Sequence, residues 1–151
     1  ELHCGVGTFT IFLSRNFNRV LSTENSRPSI KALNHNLKMN QCSNVISARL
    51  SEIETLEALD GKRNFNRLNN INLEDFNFNS IFLNPPRSGI DKSTLKKIKE
   101  FDEIIYVSCS FNSLQKDINN LSKSHKTIAT GMFDQFPYTD HIESATVLRR
   151  R

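Results

Sequence analysis

Short apolar runs rich in β-branched residues alternate with longer amphipathic segments along almost the whole chain. This alternation is typical of a parallel sheet whose strands are joined by helices that cover it. The predicted strands are a truncated one before Cys4 and then residues 19–23, 44–48, 80–83, 103–108, 126–132 and 145–148. The predicted helices are residues 8–16, 28–39, 51–59, 92–100 and 112–123. The sequence therefore predicts an α/β fold.

Two segments depart from this alternation. Residues 61–79 are rich in asparagine and weakly periodic, which indicates an insertion or a long surface loop between strands. Residues 133–141 separate the last two predicted strands and are too few to include a crossover helix. The last strand is therefore predicted to run antiparallel.

Composition limits the classes of protein to consider. The 151 residues suit one domain, with 37% hydrophobic and 24% charged residues. No stretch approaches the roughly 20 apolar residues of a membrane span, so no membrane partner is expected. The chain opens on Glu1 within what reads as a binding motif, so we expect a fragment of a longer protein.

Charge and cysteine content narrow the setting. The chain has 20 basic and 16 acidic residues, a balance that permits a nucleic-acid partner without requiring one. Residues 149–151 are three arginines, a cluster that is more often a solvated terminus than a phosphate contact. The three cysteines form no CxxC pair, which favours a reducing cytoplasm and neither a disulfide framework nor a metal site.

The opening segment ELHCGVGTF (1–9) has the features of a nucleotide-binding turn. Gly5 and Gly7 would let the backbone approach a ligand beyond the carboxyl end of a strand. Glu24 ends the next strand, where a carboxylate can accept hydrogen bonds from both ribose hydroxyls of an adenosine ligand. The third glycine of the dinucleotide fingerprint is absent, so S-adenosylmethionine fits better than NAD. The alternative is a tight turn that needs positive φ and binds nothing.

The segment NPPRSG (84–89) follows a predicted buried strand. Pro85 and Pro86 restrict the backbone, so that Asn84 and Arg87 are held on a stiff loop at the ligand edge of the sheet. An amide can both donate to and accept from the edge of a base. The alternative is that Asn84 only ends the strand and Arg87 is a surface charge.

Cys109 lies where the apolar run EIIYVS ends and shortly before a predicted helix. A helix amino terminus favours thiolate over thiol, so this position suits a nucleophile. The alternative is a small buried hydrophobic residue. For Cys4 and Cys42 packing is the expected role.

Glu143 lies at the start of the last predicted strand, on the same face as Ala145 and Val147. A buried carboxylate on an apolar face must be paired or take part in chemistry. His141 and Asp134 could orient it. The aromatic side chains of this segment either stack on a base or pack in the core; they are Phe133, Phe136 and Tyr138.

Three motifs in this order and spacing, NPPRSG, IIYVSCS and FDQFPYTDHIE, resemble the RNA uracil-5-methyltransferases. The resemblance also runs through ELHCGVGTF, RNFNRVLSTEN and FNRLNNINL, so it covers essentially the whole chain and favours the tRNA branch over the ribosomal-RNA branches. It implies a Rossmann-like S-adenosylmethionine-dependent methyltransferase fold, mostly parallel with an antiparallel last strand. Residues 1–151 would then be a catalytic domain, truncated at its amino terminus, without the upstream RNA-binding region.

The resemblance also implies roles for individual residues. Cys109 would be the nucleophile and Glu143 the base, with no metal. The cofactor would be S-adenosylmethionine, and its contacts would be His3, Gly5, Gly7, Thr8, Glu24 and Asn84. The substrate contacts would be Arg87, Phe136 and His141.

The implied reaction is methylation of carbon 5 of a uridine in the T-loop of tRNA, through a covalent cysteine–uracil intermediate, by a monomeric cytoplasmic enzyme. Relatives commonly carry Asp at position 84, Asn at position 8, and Asn and Thr around the helix start after the nucleophile; this chain has Asn84, Thr8, Ser110, Phe111 and Ser113. Methylation of ribosomal RNA and a non-catalytic RNA-binding homologue therefore stay open. Amino-group methylation is disfavoured because it needs neither the cysteine nor the glutamate.

Overall fold

The computed structural model describes all 151 residues. Its contacts group into two compact units, residues 1–77 (unit 1) and residues 78–151 (unit 2), and each is described by itself. The single catalytic domain expected from the length of the chain stays a prediction. No helix has both the length and the apolar character needed to cross a membrane.

Unit 1 is built on two parallel strands with three helices. Its elements are α1 (Thr10–Asn16), β1 (Val20–Thr23), α2 (Arg27–Met39), β2 (Val45–Ala48) and α3 (Glu52–Leu59). The register of β1 on β2 runs from the pair Val20 and Val45 to the pair Thr23 and Ala48. In place of the strand predicted before Cys4, the structure has one parallel bridge between Leu2 and Thr23.

The helices of unit 1 begin where the sequence supplies caps. The Ser26 side chain caps α2 and Pro28 lies in its first turn, while Ser51 and Glu54 form a reciprocal capping box at the start of α3. Leu33 and Leu37 face inward from α2 and pack with Cys4. Helix α2 is thereby fixed against the turn that contains Gly5 and Gly7.

The asparagine-rich segment 61–79 lacks strands and α-helices, in agreement with the loop prediction. It contains two short 3₁₀ helices, Asn66–Leu68 and Leu73–Asp75. Phe65 and Leu68 are buried. The segment is therefore anchored to unit 1 by apolar side chains that its weak periodicity did not reveal.

Unit 2 is a four-stranded sheet with two helices. Its elements are β3 (Ser80–Leu83), α4 (Lys92–Ile98), β4 (Glu103–Ser108), α5 (Phe111–Leu121), β5 (His125–Phe133) and β6 (Glu143–Arg150). The strand order is β3-β4-β6-β5; β3 and β4 are parallel, and β6 is antiparallel to both β4 and β5. The prediction of an antiparallel last strand is confirmed.

The core of unit 2 lies on one face of its sheet. Tyr106 and Ile104 of β4 and Leu148 of β6 are fully buried there, with Ile98 of α4 and Leu121 of α5. Strand β5 forms the edge of this sheet and is exposed along most of its length. Because β6 runs antiparallel to β4 beside it, β6 begins at the carboxyl end of β4.

Candidate active site

The carboxyl edge of the unit 2 sheet collects the predicted reactive groups. Strands β3 and β4 are parallel, so Asn84 and Cys109, which follow them, emerge at the same edge. Strand β6 runs the other way and begins there with Glu143.

The pairing of β4 with β6 brings together the strand ends next to which the cysteine and the glutamate lie. Ser108 pairs with Ser144, so the same register carried one residue further sets Cys109 against Glu143. Directly opposed residues of antiparallel strands have Cα atoms about 5 Å apart and side chains on the same face. If the register continued over this residue, the thiol and the carboxylate would lie on the same face at the end of the sheet.

Cys109 is half-buried and free of any disulfide. Ser110, the next residue, is the N-cap of α5, and its side chain accepts a hydrogen bond from the Ser113 amide. The backbone N–H groups of a helix's first turn and its dipole favour negative charge nearby. Cys109 therefore lies immediately before the first turn of a helix, where the sequence predicts it.

Glu143 is half-buried, as are Ala145 and Val147 on the same face of β6. Burial raises the pKa of the Glu143 carboxyl above its usual value, because a charged group is disfavoured where water is excluded. A carboxylate with a raised pKa is a stronger base than one in free solution.

His141 contacts Arg87. The sequence had suggested a different partner, Glu143, which His141 could orient. The distance from the His141 Nε2 atom to the Arg87 Nη2 atom is 3.3 Å. A guanidinium only donates, so Nε2 is the acceptor in this contact. His141 also meets the Phe136 ring edge-on, with centroids 6.3 Å apart. Arg87, Phe136 and His141 therefore form one connected group.

The aromatic side chains of the β5–β6 connection are exposed, so their alternative role in core packing is wrong. Phe133 is 49% exposed, Phe136 41%, and Tyr138 is fully exposed. Tyr138 also has a φ of +65°, a left-handed conformation that is rare for a bulky residue. The Thr139 hydroxyl donates to the Phe136 carbonyl at 2.7 Å and accepts from the His141 amide at 3.2 Å. The connection is a hydrogen-bonded turn that presents aromatic rings to solvent.

The glycine-containing turn of unit 1 has the backbone shape predicted for it. Gly5 and Gly7 have positive φ angles of +55° and +95°, and a Cβ on Gly7 would lie 2.4 Å from the Leu33 Cδ1 atom. Only glycine fits at position 7 without a shift of the Leu33 side chain or of the turn. Cys4 is buried behind this turn, and burial raises the pKa of its thiol to about 12. Cys4 is thus an uncharged packing residue, as expected.

Glu24 lies one residue beyond β1 and beside the glycine turn. Its carboxylate accepts hydrogen bonds from the Gly5 amide at 3.2 Å and from the Ser26 amide at 2.8 Å. His3 joins the same turn, with its Nε2 atom 2.7 Å from a carboxylate oxygen of Glu52, and Thr8 is exposed. A carboxylate held beside a close-approach turn fits the ribose of an adenosine cofactor.

The predicted residues thus form one group in each unit. His3, Gly5, Gly7, Thr8 and Glu24 lie on the glycine turn or next to it in unit 1, whereas Asn84 belongs to unit 2. Sequence reasoning missed three polar residues that contact these groups: Glu52, Ser113 and Asp117. Each occupies an ordinary polar position of an amphipathic helix, and no spacing rule distinguishes it.

Comparison with known proteins identifies a family that matches the whole chain. The family model of the tRNA (Uracil-5-)-methyltransferases matches residues 1–151. The chain is 47% identical over 151 residues to the tRNA/tmRNA (uracil-C(5))-methyltransferase of Saccharophagus degradans, covering 100% of this chain and 41% of that protein. It is also 47% identical over 150 residues to the protein of the same name from Nitratiruptor sp., covering 99% and 42%. The chain therefore spans about two fifths of the length of these relatives.

A solved structure supports the fold. The Pyrococcus abyssi tRNA (uracil-54, C5)-methyltransferase, in complex with S-adenosyl-L-homocysteine, superposes with a TM-score of 0.75 at 22% identity, covering 97% of this chain and 33% of that one. The methyltransferase NodS of Bradyrhizobium japonicum superposes with a TM-score of 0.68 at 12% identity, covering 99% and 83%. These likenesses confirm the predicted methyltransferase fold. On the match over its whole length, the chain belongs to the tRNA (uracil-5-)-methyltransferase family.

Proposed function

We propose that this chain is the catalytic part of an enzyme that methylates carbon 5 of a uridine in the T-loop of tRNA through a covalent cysteine–uracil intermediate. Membership of the family supports the reaction class. The observation that supports the mechanism is the register of β4 on β6, in which Ser108 pairs with Ser144, so that Cys109 and Glu143 each lie next to this last pair. A nucleophile and a base are the two groups that this chemistry requires.

The cofactor of the proposed reaction is S-adenosylmethionine, which supplies an electrophilic methyl group when bound. The Gly5–Gly7 turn would allow close approach of the backbone, and the Glu24 carboxylate would accept hydrogen bonds from the ribose hydroxyls. Glu24 is already oriented by the Gly5 and Ser26 amides. His3, Thr8 and Asn84 are the further proposed contacts.

Carbon 5 of uracil is a poor nucleophile until a second bond is made to the ring. The Cys109 thiolate would attack carbon 6, and the electrons of the C5–C6 double bond would move into the ring to give an enolate. Carbon 5 of this enolate would take the methyl group, while the bond between the methyl group and the sulfonium sulfur of the cofactor would break and leave a neutral thioether. Glu143 would then remove the proton from carbon 5, the double bond would form again, and the bond between carbon 6 and sulfur would break to release the thiolate.

Other groups at the same edge would bind the base. The Arg87 guanidinium or the Asn84 amide would donate to the ring oxygen on which enolate charge develops. A uridine inside stacked RNA is out of reach, so the target nucleotide would have to leave the stack. The exposed rings of Phe136 and Tyr138 offer surfaces on which bases can stack.

Replacing Cys109 tests the proposal directly. The complete protein should form an adduct that survives denaturation with tRNA containing 5-fluorouridine, and should convert uridine to 5-methyluridine in unmodified tRNA. Cys109→Ala should abolish both, because no other group is placed opposite Glu143 to add to carbon 6. Adduct formation is read by denaturing electrophoresis, and the product by nucleoside analysis.

The matched control is Cys42→Ala, which removes a half-buried thiol at the end of α2 and should leave both readouts unchanged. Methylation of uridine by the Cys109→Ala protein would contradict the proposed mechanism. Methylated adenine or guanine as the product would instead favour amino-group methylation. RNA binding without any methylation would favour the non-catalytic alternative, and preference for a ribosomal RNA fragment would change the substrate.

A further inference from the structure

Helix α5 carries a hydroxyl that joins two of the loops at the proposed active site. The Ser113 Oγ atom lies 3.0 Å from the Arg87 carbonyl oxygen and 3.1 Å from the Ser110 carbonyl oxygen. A hydroxyl has a single proton, which here is shared between these two acceptors. Ser113 therefore connects the backbone of the NPPRSG loop to the residue that follows Cys109.

Asp117 lies one turn further along the same side of α5 and is 3% exposed. One of its carboxylate oxygens, Oδ2, accepts from the Tyr106 hydroxyl at 2.8 Å and from the Ile90 amide at 3.4 Å. Burial of a carboxylate is costly unless donors satisfy it. One of these donors belongs to β4 and the other to the end of the NPPRSG loop, so Asp117 fixes the loop to the strand that leads to Cys109.

The loop is shaped to fit against both side chains. Gly89 has a φ of +78°, and a Cβ at this position would lie 2.9 Å from Asp117 Oδ2 and 3.2 Å from the Ser113 Cβ atom. The Gly89 amide donates to the Pro86 carbonyl at 2.9 Å and closes a turn. The backbone of Arg87 is thus held between a proline-restricted entry and a glycine that contacts the helix.

At its other end Arg87 reaches His141, which packs against Phe136. Contacts therefore run without a break from the residue after Cys109, through Ser113 and Arg87, to the connection between β5 and β6. We propose that Ser113 and Asp117 are positioning residues that hold the Arg87 guanidinium in place for catalysis. This α5 clamp rests on the proposed function, because it acts on Arg87, one of the two groups proposed to stabilise the enolate.

Ser113 gives the sharper test, because Asp117→Ala would remove a buried acceptor that two donors share and would also destabilise the fold. The complete protein and its Ser113→Ala and Ser113→Thr variants are compared for kcat and KM with unmodified tRNA, and for melting temperature. Loss of the hydroxyl should lower kcat about 10-fold, because small errors in the position of a catalytic group are costly. Threonine keeps the hydroxyl, so Ser113→Thr should recover most of the loss.

Ser122→Ala is the matched control. Ser122 caps the other end of α5, and its hydroxyl donates to the Asn119 carbonyl at 2.8 Å. This variant removes the same group from the same helix away from the NPPRSG loop, so its kcat should equal that of the unaltered protein.

A double-mutant cycle with Arg87→Ala shows whether Ser113 acts through Arg87. In the Arg87→Ala background, Ser113→Ala should have no further effect on kcat. Three results would overturn the clamp. One is an unchanged kcat for Ser113→Ala, and another is additive effects on kcat in the cycle. The third is a loss of kcat that follows the melting temperature and that threonine does not restore. If the unaltered protein methylates uridine, such a result overturns the clamp alone; if it methylates no uridine, the proposed function fails and the clamp with it.

Discussion

Glu143 shows how burial prepares a single residue for the proposed reaction. Burial raises the pKa of its carboxyl, so the basic, ionised form is lost at a higher pH than for a glutamate in water. The proposed proton removal from carbon 5 requires that ionised form. The step that frees the product should therefore slow as the pH falls through the raised pKa, earlier than it would for an exposed glutamate.

Glu143→Gln should separate methyl transfer from product release. The amide cannot take the proton from carbon 5, so methylated RNA should accumulate bound to Cys109, and the dependence of release on pH should disappear. The measurement is the rate of adduct formation and decay at several pH values. Glu103→Gln, at the opposite end of β4, is the control that should behave like the unaltered protein. Release at the normal rate from the Glu143→Gln protein would contradict the assignment of Glu143 as the base.

The same substitution has an expected effect on stability. A folded-state pKa above the unfolded value means that the folded protein favours the protonated carboxyl. At neutral pH, where the carboxyl is ionised after unfolding, Glu143→Gln should therefore raise the melting temperature. The gain should shrink as the pH falls, because Glu143 then becomes protonated in both states. Thermal denaturation at neutral and at acidic pH measures it, and a gain that grows with acidity would contradict the role of burial.

At the scale of elements, predictions were best where the pattern of side chains alone defines an element. Strands β3 and β4 have the predicted bounds, 80–83 and 103–108, because their apolar runs end sharply at polar residues or prolines. Strands β5 and β6 extend beyond their predicted ends, since the residues added there are polar or aromatic and belong to the strands through their pairing with neighbouring strands. Helix α1 begins at Thr10 instead of residue 8 because the glycine turn occupies the preceding residues.

The contact of the glycine turn with α2 leads to a prediction at this scale. Gly7→Ala should destabilise the protein through two effects. The left-handed backbone costs an L-residue about 1–2 kcal/mol. Overlap of the new methyl group with Leu33 costs about 1–3 kcal/mol. The substitution should also weaken cofactor binding, because relief of the overlap moves the turn. Denaturant unfolding and S-adenosylmethionine binding by calorimetry measure the two effects.

Gly61→Ala is the control for Gly7→Ala. Gly61 also has a positive φ, +65°, but no atom lies within 4 Å of the place that its Cβ would take. This variant should show the backbone cost alone and normal cofactor binding. Equal losses of stability for the two variants would show that the contact with Leu33 does not restrict position 7.

At the scale of the whole molecule, the sequence indicated candidate site residues, but it did not indicate the contacts that join them. The nearness of the end of β4 to the start of β6 followed from an antiparallel last strand, which the short connection before it already indicated. The contact of Arg87 with His141 joins residues that are 54 positions apart, and no periodic pattern links them. The burial of Asp117 was equally hidden, because it depends on a loop that folds back over α5.

The three arginines at 149–151 are exposed to solvent, as the sequence suggested. Each of them also contacts another residue of unit 2. Their partners are the Glu103 carboxylate at 3.1 Å, the Asp102 carboxylate at 3.3 Å and the Ser122 carbonyl at 3.2 Å. Glu103 begins β4 and Cys109 follows its end, so this basic cluster lies about 20 Å along the strand from the proposed nucleophile.

This placement predicts that the arginines at 149–151 contribute to stability and not to RNA binding. Replacing all three with glutamine should lower the melting temperature only slightly, because each exposed ion pair contributes about 0–1 kcal/mol. The affinity for tRNA and its dependence on salt should be unchanged, whereas Arg87→Gln should lower kcat. The measurements are tRNA binding at two salt concentrations and the rate of methylation.

If the triple variant instead bound tRNA more weakly and with a smaller dependence on salt, the cluster would be neutralising phosphates. The RNA would then extend from the edge near Cys109 to the opposite end of the unit 2 sheet. Its footprint would be larger than a single extruded nucleotide and its neighbours require. An unchanged dependence on salt would confine the RNA contacts of unit 2 to the edge where Arg87, Phe136 and Tyr138 lie.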